Sequence, residues 1–183
     1  MHARAVVLNR WIPWASAAEP DWDALYAEQL PRVYNFFRYH VGDGPEAEDL
    51  TAVTFEKAWR ARGRYRRDLG AFSTWLLAIA RNVATDHHRS RRPTAPLEAA
   101  MDVPGGRTPE DLAIARSNIE RLERLLAALT PRERELVALK YGAEMTNRAI
   151  ARLTGLSESN VGTVLHRTIM ELRSAWPAEG DTR

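Results

Sequence analysis

Residues 71–92 read AFSTWLLAIARNVATDHHRSRR, and the reading of the whole chain turns on them. Phe72, Trp75, Leu76, Ile79 and Val83 recur at helical spacing and predict one apolar face. Asn82, Asp86, Arg89 and Arg92 fall off that face. A helix that buries one side and offers amide and guanidinium groups on the other suits contact with nucleic acid. Immediately upstream, residues 57–68 (KAWRARGRYRRD) set six cations around Trp59 and Tyr65.

The distribution of charge says more than its sum. The chain's net charge is only +2, but residues 57–92 hold ten Lys and Arg against two acids. Residues 1–56 hold four against nine, and residues 110–183 hold eleven against eleven. A cationic run by itself is often just a solvated face. Aromatic residues interleaved with it favour nucleic acid, because bases stack on rings and on Arg planes.

A chain of 183 residues is long enough for one domain or two small ones. With no Cys there are no disulfides and no thiolate metal sites, which fits a reducing compartment. Residues 1–20 carry Arg4, a short apolar run and a small-residue Ala15-Ser16-Ala17 site, but Asn9, Arg10 and Pro13 break the run too early for a signal peptide. They are expected to be a poorly ordered leader in which Trp11 and Trp14 have no assigned role. No stretch approaches the ~20 apolar residues of a membrane span, so a soluble, cytoplasmic protein is expected.

From Asp21, a predicted N-cap, a helix carries Trp22, Leu25, Tyr26 and Gln29, and Pro31 is expected to interrupt or restart it. Val33, Tyr34, Phe36 and Phe37 continue the apolar surface to Val41. Gly42 to Gly44 predict a turn and Pro45 the opening of a second helix. Glu46, Glu48 and Asp49 lie in its first turn, where carboxylates oppose the positive helix end. Residues 63–70 read as a loop. Pro93, Pro96, Pro104, Gly105, Gly106 and Pro109 then punctuate residues 93–109, which lack periodicity and read as a flexible linker. Thr108 and Thr130 each open a helix-start pattern, the second with Glu133 at the third helical position, and that helix should end at Gly142.

Residues 146–174, TNRAIARLTGLSESNVGTVLHRTIMELRS, fit a helix-turn-helix. Ala151 stands four before Gly155, and Val161 six after it; a small residue lets the helices cross closely, and Ser157 can cap the second helix. Val161, Leu165, Ile169 and Leu172 turn inward. Glu158, Ser159, Asn160, Thr163, His166 and Arg167 are left outward, where a recognition helix meets base edges and phosphates. The predicted fold is all-α: two small helical domains joined by a flexible linker, the second a helix-turn-helix domain. Its boundaries are a leader 1–20, a first domain 21–92, a linker 93–109, a second domain 110–176 and a tail 177–183.

PEAEDLTAVTFEKAW and GAFSTWLLAIARNVATDHHRSRR together resemble the core-binding and promoter-melting region of extracytoplasmic-function (ECF) sigma factors of the sigma-70 family. LTPRERELVALKYGAEMTNRAIARLTGLSESNVGTVLHRTIMELR resembles their fourth region. The resemblance implies a protein that binds core RNA polymerase at its clamp helices and flap and directs promoter recognition, melting and initiation, with an anti-sigma factor as a further partner. It implies a polymerase face at Asp49, Leu50, Val53 and Glu56. It also implies a minus-ten surface of Arg64, Tyr65, Arg66, Arg67, Asn82, Asp86 and Arg89, with exposed Tyr65 and Asn82 flanking a flipped base, and Phe72 and Trp75 packed. A minus-thirty-five surface of Ser157, Glu158, Ser159, Asn160, Thr163, His166 and Arg167 completes the set. Many members carry Lys or Arg where this chain has Gly162 and Val164, which implies weak duplex binding and a recognition helix that Gly162 lets sit deeper in the groove.

Two other readings compete. The fourth-region stretch also resembles LuxR-type regulators, which act without joining the polymerase. An enzyme would need a ligand or acid-base cluster; Asp86, His87 and His88 are the densest, but neighbouring helical residues point about 100° apart and do not easily share one ion. His87 and His88 are expected to be solvated or phosphate-facing. No catalytic residue, metal or cofactor is predicted.

Overall fold

The computed structural model describes residues 21–42, 44–90 and 109–176. The predicted leader and tail, residues 93–108 of the predicted linker, and Arg92 lie outside the described residues, and Pro109, the last residue of that predicted linker, already opens a helix. Every regular element among those described is helical: α1 Trp22–Val41, α2 Gly44–Arg60, a 3-10 turn Arg62–Arg64, α3 Phe72–Ser90, α4 Pro109–Ala128, α5 Pro131–Val137, a π turn Ala138–Gly142, α6 Asn147–Thr154 and α7 Glu158–Ala175.

The caps follow the sequence. Asp21 accepts from the backbone N–H of Ala24 at 3.1 Å and starts α1. Pro31 does not interrupt that helix, which runs through it. The residue whose carbonyl loses its bond to Pro31 is Ala27, and both are exposed, so water can replace the missing donor. Thr130 and Glu133 form the expected capping box: Glu133 N–H donates to the Thr130 hydroxyl at 3.3 Å, and Thr130 N–H to the Glu133 carboxylate at 3.1 Å. Thr146 and Ser157 cap α6 and α7, and Gly155, at φ 75°, closes α6 in the left-handed conformation that glycine adopts without a steric penalty.

Helices α1, α2 and α3 bury Val33, Phe36, Phe37, Leu50, Phe72, Leu76, Leu77 and Val83. Helices α5 to α7 bury Leu136, Val137, Leu139, Ile150, Val161 and Leu165. On α7 the inward row is completed by Thr168, fully buried, while Ile169 is only half-buried. The two sets share one continuous core, and α1 is the common wall, packing on α2 and α3 on one side and on α5 and the π turn on the other.

Gly142 explains how that second contact is possible. A Cβ placed there would lie 2.7 Å from the backbone oxygen of Asn35 and 3.0 Å from Cα of Phe36, so only hydrogen fits against α1. The sequence expectation treated Gly142 as a helix terminator. In the fold its lack of a side chain admits close backbone approach.

Candidate nucleic-acid and polymerase interface

The basic stretch 57–68 is a tight corner between α2 and α3, folded around a cluster of rings. Tyr65 lies 5.3 Å from Phe72 and from Trp75, and Trp22 lies 5.5 Å from Phe72 and 5.8 Å from Trp59. Phe72 is buried and Trp75 half-buried, as expected of packing residues. Tyr65 is half-buried rather than exposed: its ring joins this cluster and its hydroxyl donates to the Gly70 carbonyl at 3.3 Å. Arg62 stacks over Trp59, with its guanidinium carbon 4.2 Å from the ring centroid.

The predicted cations differ in their freedom. Arg64 and Arg67 are exposed. Arg66 makes a two-point pair with Asp68 at 3.0 and 2.8 Å, which holds the Asp68 carboxyl below its ordinary value. Its charge is locally compensated. On α3, Asn82, Asp86 and Arg89 are all exposed and, at i, i+4 and i+7, share one face. Asp86 lies 3.6 Å from Lys57 of α2, which ties that face to the basic corner. His87 departs from the expectation of a solvated or phosphate-facing side chain, because its Nε2 lies 2.8 Å from the Glu46 carboxylate in a largely buried pocket at the start of α2. No group of three metal-ligating side chains comes together among the described residues.

On α2, Asp49, Val53 and Glu56 form an exposed row. Leu50 does not belong to it. It is buried at 7% exposure in the core between α1, α2 and α3, so in this arrangement it cannot face a partner. Asp and Leu are adjacent in the motif, but neighbours on a helix point about 100° apart. One exposed residue that the motif did not include packs against α2: Tyr26, 4.5 Å from Phe55; Trp59, the last residue of the motif, is half exposed. Helical periodicity placed Tyr26 on the apolar face with Trp22, which concealed it.

Along α7, Ser157, Glu158, Ser159, Asn160, Thr163, His166 and Arg167 are all exposed. Several are already engaged. The Ser157 hydroxyl accepts from Asn160 N–H at 3.1 Å, and the Thr163 hydroxyl donates to the Ser159 carbonyl at 3.0 Å. Glu158 lies 3.5 Å from Arg148 of α6. Arg167 is drawn back to the Glu133 carboxylate at 2.8 Å; the Thr130 hydroxyl and then Arg167 hold that carboxyl below its ordinary value. Gly162 faces α6, where a Cβ would sit 3.6 Å from the Asn147 side chain, so its absence does not deepen a groove contact.

The family comparisons fall on these two halves. The model for sigma-70 region 2 matches residues 25–94 and that for sigma-70 region 4 matches residues 119–172. The ECF RNA polymerase sigma factor BldN of Streptomyces coelicolor is 31% identical over 169 residues, covering 89% of this chain and 63% of BldN. The RNA polymerase sigma factor CarQ of Myxococcus xanthus is 31% identical over 160 residues, covering 85% of this chain and 89% of CarQ. In fold the chain is similar to the sigma factor RpoE of Bartonella quintana, crystallised with the anti-sigma factor NepR, at TM-score 0.67 and 18% identity over 88% of this chain and 99% of that one. It is similar also to CnrH, solved with the cytosolic domain of CnrY, at TM-score 0.59 and 22% identity over 88% and 87%. A helical region 2 followed by a helix-turn-helix region 4 defines a promoter-specificity subunit of RNA polymerase. The chain belongs to the sigma-70 family, as an ECF RNA polymerase sigma factor. A LuxR-type regulator is disfavoured, since the region 2 match covers the stretch such a regulator would leave unexplained.

Proposed function

We propose that residues 21–92 bind core polymerase and open the minus-ten element, that residues 110–176 hold the minus-thirty-five duplex, and that residues 93–109 link them. The observation that carries this reading is the exposed row Asn82, Asp86 and Arg89 on α3 beside the cation-rich corner at Arg64 and Arg67. An amide and guanidinium groups above a wall of rings suit an unstacked base and its backbone better than a closed duplex. The Asp49, Val53 and Glu56 row, away from that surface in chemistry and charge, is the polymerase face, meeting the clamp helices, while region 4 meets the flap.

The chain acts in the cytoplasm, where promoters and core polymerase are. No described helix is long and apolar enough to cross a membrane. It carries no catalytic step of its own and uses no cofactor or metal; the polymerase supplies the chemistry. An anti-sigma factor is a further partner, the kind of complex in which RpoE and CnrH were solved. Run-off transcription with purified core polymerase on a promoter library is the test. Discrete start sites that require this chain are expected, and a library transcribed equally with and without it would overturn the reading.

A further inference from the structure

Among the described residues, Glu133 is the only buried charged residue. Its two oxygens have separate tasks. One accepts from the Thr130 N–H at 3.1 Å and from the Thr130 hydroxyl at 2.7 Å, at the start of α5. The other accepts from the Arg167 guanidinium of α7 at 2.8 Å. The cap fixes the carboxylate, so α7 packs against a negative charge already held in place.

Positive charge is scarce on α7. The helix holds two cations, Arg167 and Arg173, and Arg173 stands roughly 9 Å further from the N-terminal turns that meet base edges. The Nε of Arg167 also lies 3.7 Å from Glu171, and at the other end of the face Glu158 lies 3.5 Å from Arg148. Two carboxylates therefore flank one guanidinium, and a phosphate approaching Arg167 meets a site with no net positive charge. Counterion release depends on the charge a protein brings to DNA, so a guanidinium neutralised inside the fold adds little to it. The pair also resists opening, because drawing Arg167 away leaves a buried carboxylate oxygen without its donor.

We propose that Glu133 is an internal counter-charge for the recognition helix, holding Arg167 in place of a phosphate and so lowering the sequence-independent part of duplex binding. The inference rests on the reading of residues 110–176 as the duplex-binding half. Non-specific binding is almost wholly electrostatic, whereas base contacts carry the sequence information. With its forward cation occupied, α7 is left to Ser159, Asn160, Thr163 and His166, and the chain leaves duplex of the wrong sequence sooner.

The test uses the full chain and a labelled duplex of about 20 base pairs and arbitrary sequence, followed by anisotropy across a salt series. Glu133→Gln keeps an acceptor at the third helical position, where Gln also serves a capping box, but removes the charge that holds Arg167. It should tighten binding about tenfold at about 50 mM salt and steepen the slope of log affinity against log salt by about 0.9, one added phosphate. Arg167→Ala alone should change neither, and Arg167→Ala with Glu133→Gln should cancel the gain. Glu171→Gln, which takes a charge from an exposed pair, should give no gain that Arg167→Ala cancels. Urea midpoints show that each variant is folded. In case Glu133→Gln does not fold, Glu133→Asp keeps a charge at the cap, one methylene short of Arg167, and should steepen the slope in the same direction. A slope that Arg167→Ala flattens by about 0.9 in the parent overturns the proposal, because Arg167 is then already on phosphate. Unchanged or weaker binding by a folded Glu133→Gln or Glu133→Asp overturns it too, since the carboxylate then aims Arg167 at DNA or has no bearing on it. A promoter library without discrete start sites counts instead against the sigma reading, since these titrations need no promoter.

Discussion

His40, near the end of α1, shows how a single side chain couples the fold to pH. It faces Arg134 and Glu135 of α5 and His87 and His88 of α3; burial first, then Arg134, lowers its pKa from 6.5 to about 4. The folded chain therefore favours neutral imidazole, while the unfolded chain takes up a proton below about 6.5. Stability from this group is complete above that pH and is lost as pH falls towards 4, by up to about 3 kcal/mol. Urea midpoints should drop between pH 7 and pH 5, and His40→Gln should flatten part of that drop; an equal drop in the variant assigns the titration elsewhere. Glu133 is a second residue with more than one role, because it completes the α5 capping box and also holds Arg167. Glu133→Ala should cost about 1–2 kcal/mol in denaturant unfolding, mainly through the lost cap, and Arg167→Ala less. If Arg167→Ala costs the larger amount, the ion pair rather than the cap carries the site.

Helix α2 separates two neighbours that the motif reads as a pair. Asp49 is exposed and Leu50 buried. Asp49→Arg should weaken association with core polymerase while circular dichroism stays that of the parent; unchanged affinity would move the docking face off this row. Leu50→Arg should instead unfold the first half, since an unpaired charge in an apolar core is far costlier than a lost contact. Helix α7 makes a quantitative claim of its own. Its recognition face has one Arg, already paired, and each neutralised phosphate contributes about 0.9 to the slope of log affinity against log salt. Anisotropy titrations of the chain with a minus-thirty-five duplex should give a shallow slope, little changed by Arg167→Ala. A slope steeper than about −5 would mean that cations outside α7, such as Arg148 and Arg152, bind the backbone.

For the whole molecule, the melting proposed above would draw on both the rings and the α3 face. Asn82→Ala should lower permanganate reactivity of the minus-ten region on duplex promoter, with the loss shrinking on a pre-melted bubble. Equal losses on both templates would assign Asn82 to binding rather than opening. Tyr65→Ala is a poorer probe, since it also removes a ring from the Trp22, Phe72 and Trp75 cluster; Tyr65→Phe, which loses only the bond to Gly70, separates the two effects.

Local physics made much of this readable from the chain. Periodicity placed α3 and α7, and Thr130, Gly155 and Ser157 marked the start of α5, the end of α6 and the start of α7, because caps and left-handed turns depend on residues within four positions of one another. The concentration of charge at residues 57–92 likewise needed no coordinates. Pairing across long separations did not show in the sequence: Arg66 with Asp68 is local, but Arg167 with Glu133, Arg81 with Glu135 and Gly142 against Asn35 join residues whose spacing carries no pattern. Whether an exposed Arg is free for phosphate, whether Leu50 faces out, and whether a glycine ends a helix or admits another backbone depend on which elements meet. Helices form from nearby residues, but their mutual packing is set by groups brought together from more than a hundred positions apart, as the Arg32 guanidinium and the Ala143 carbonyl are.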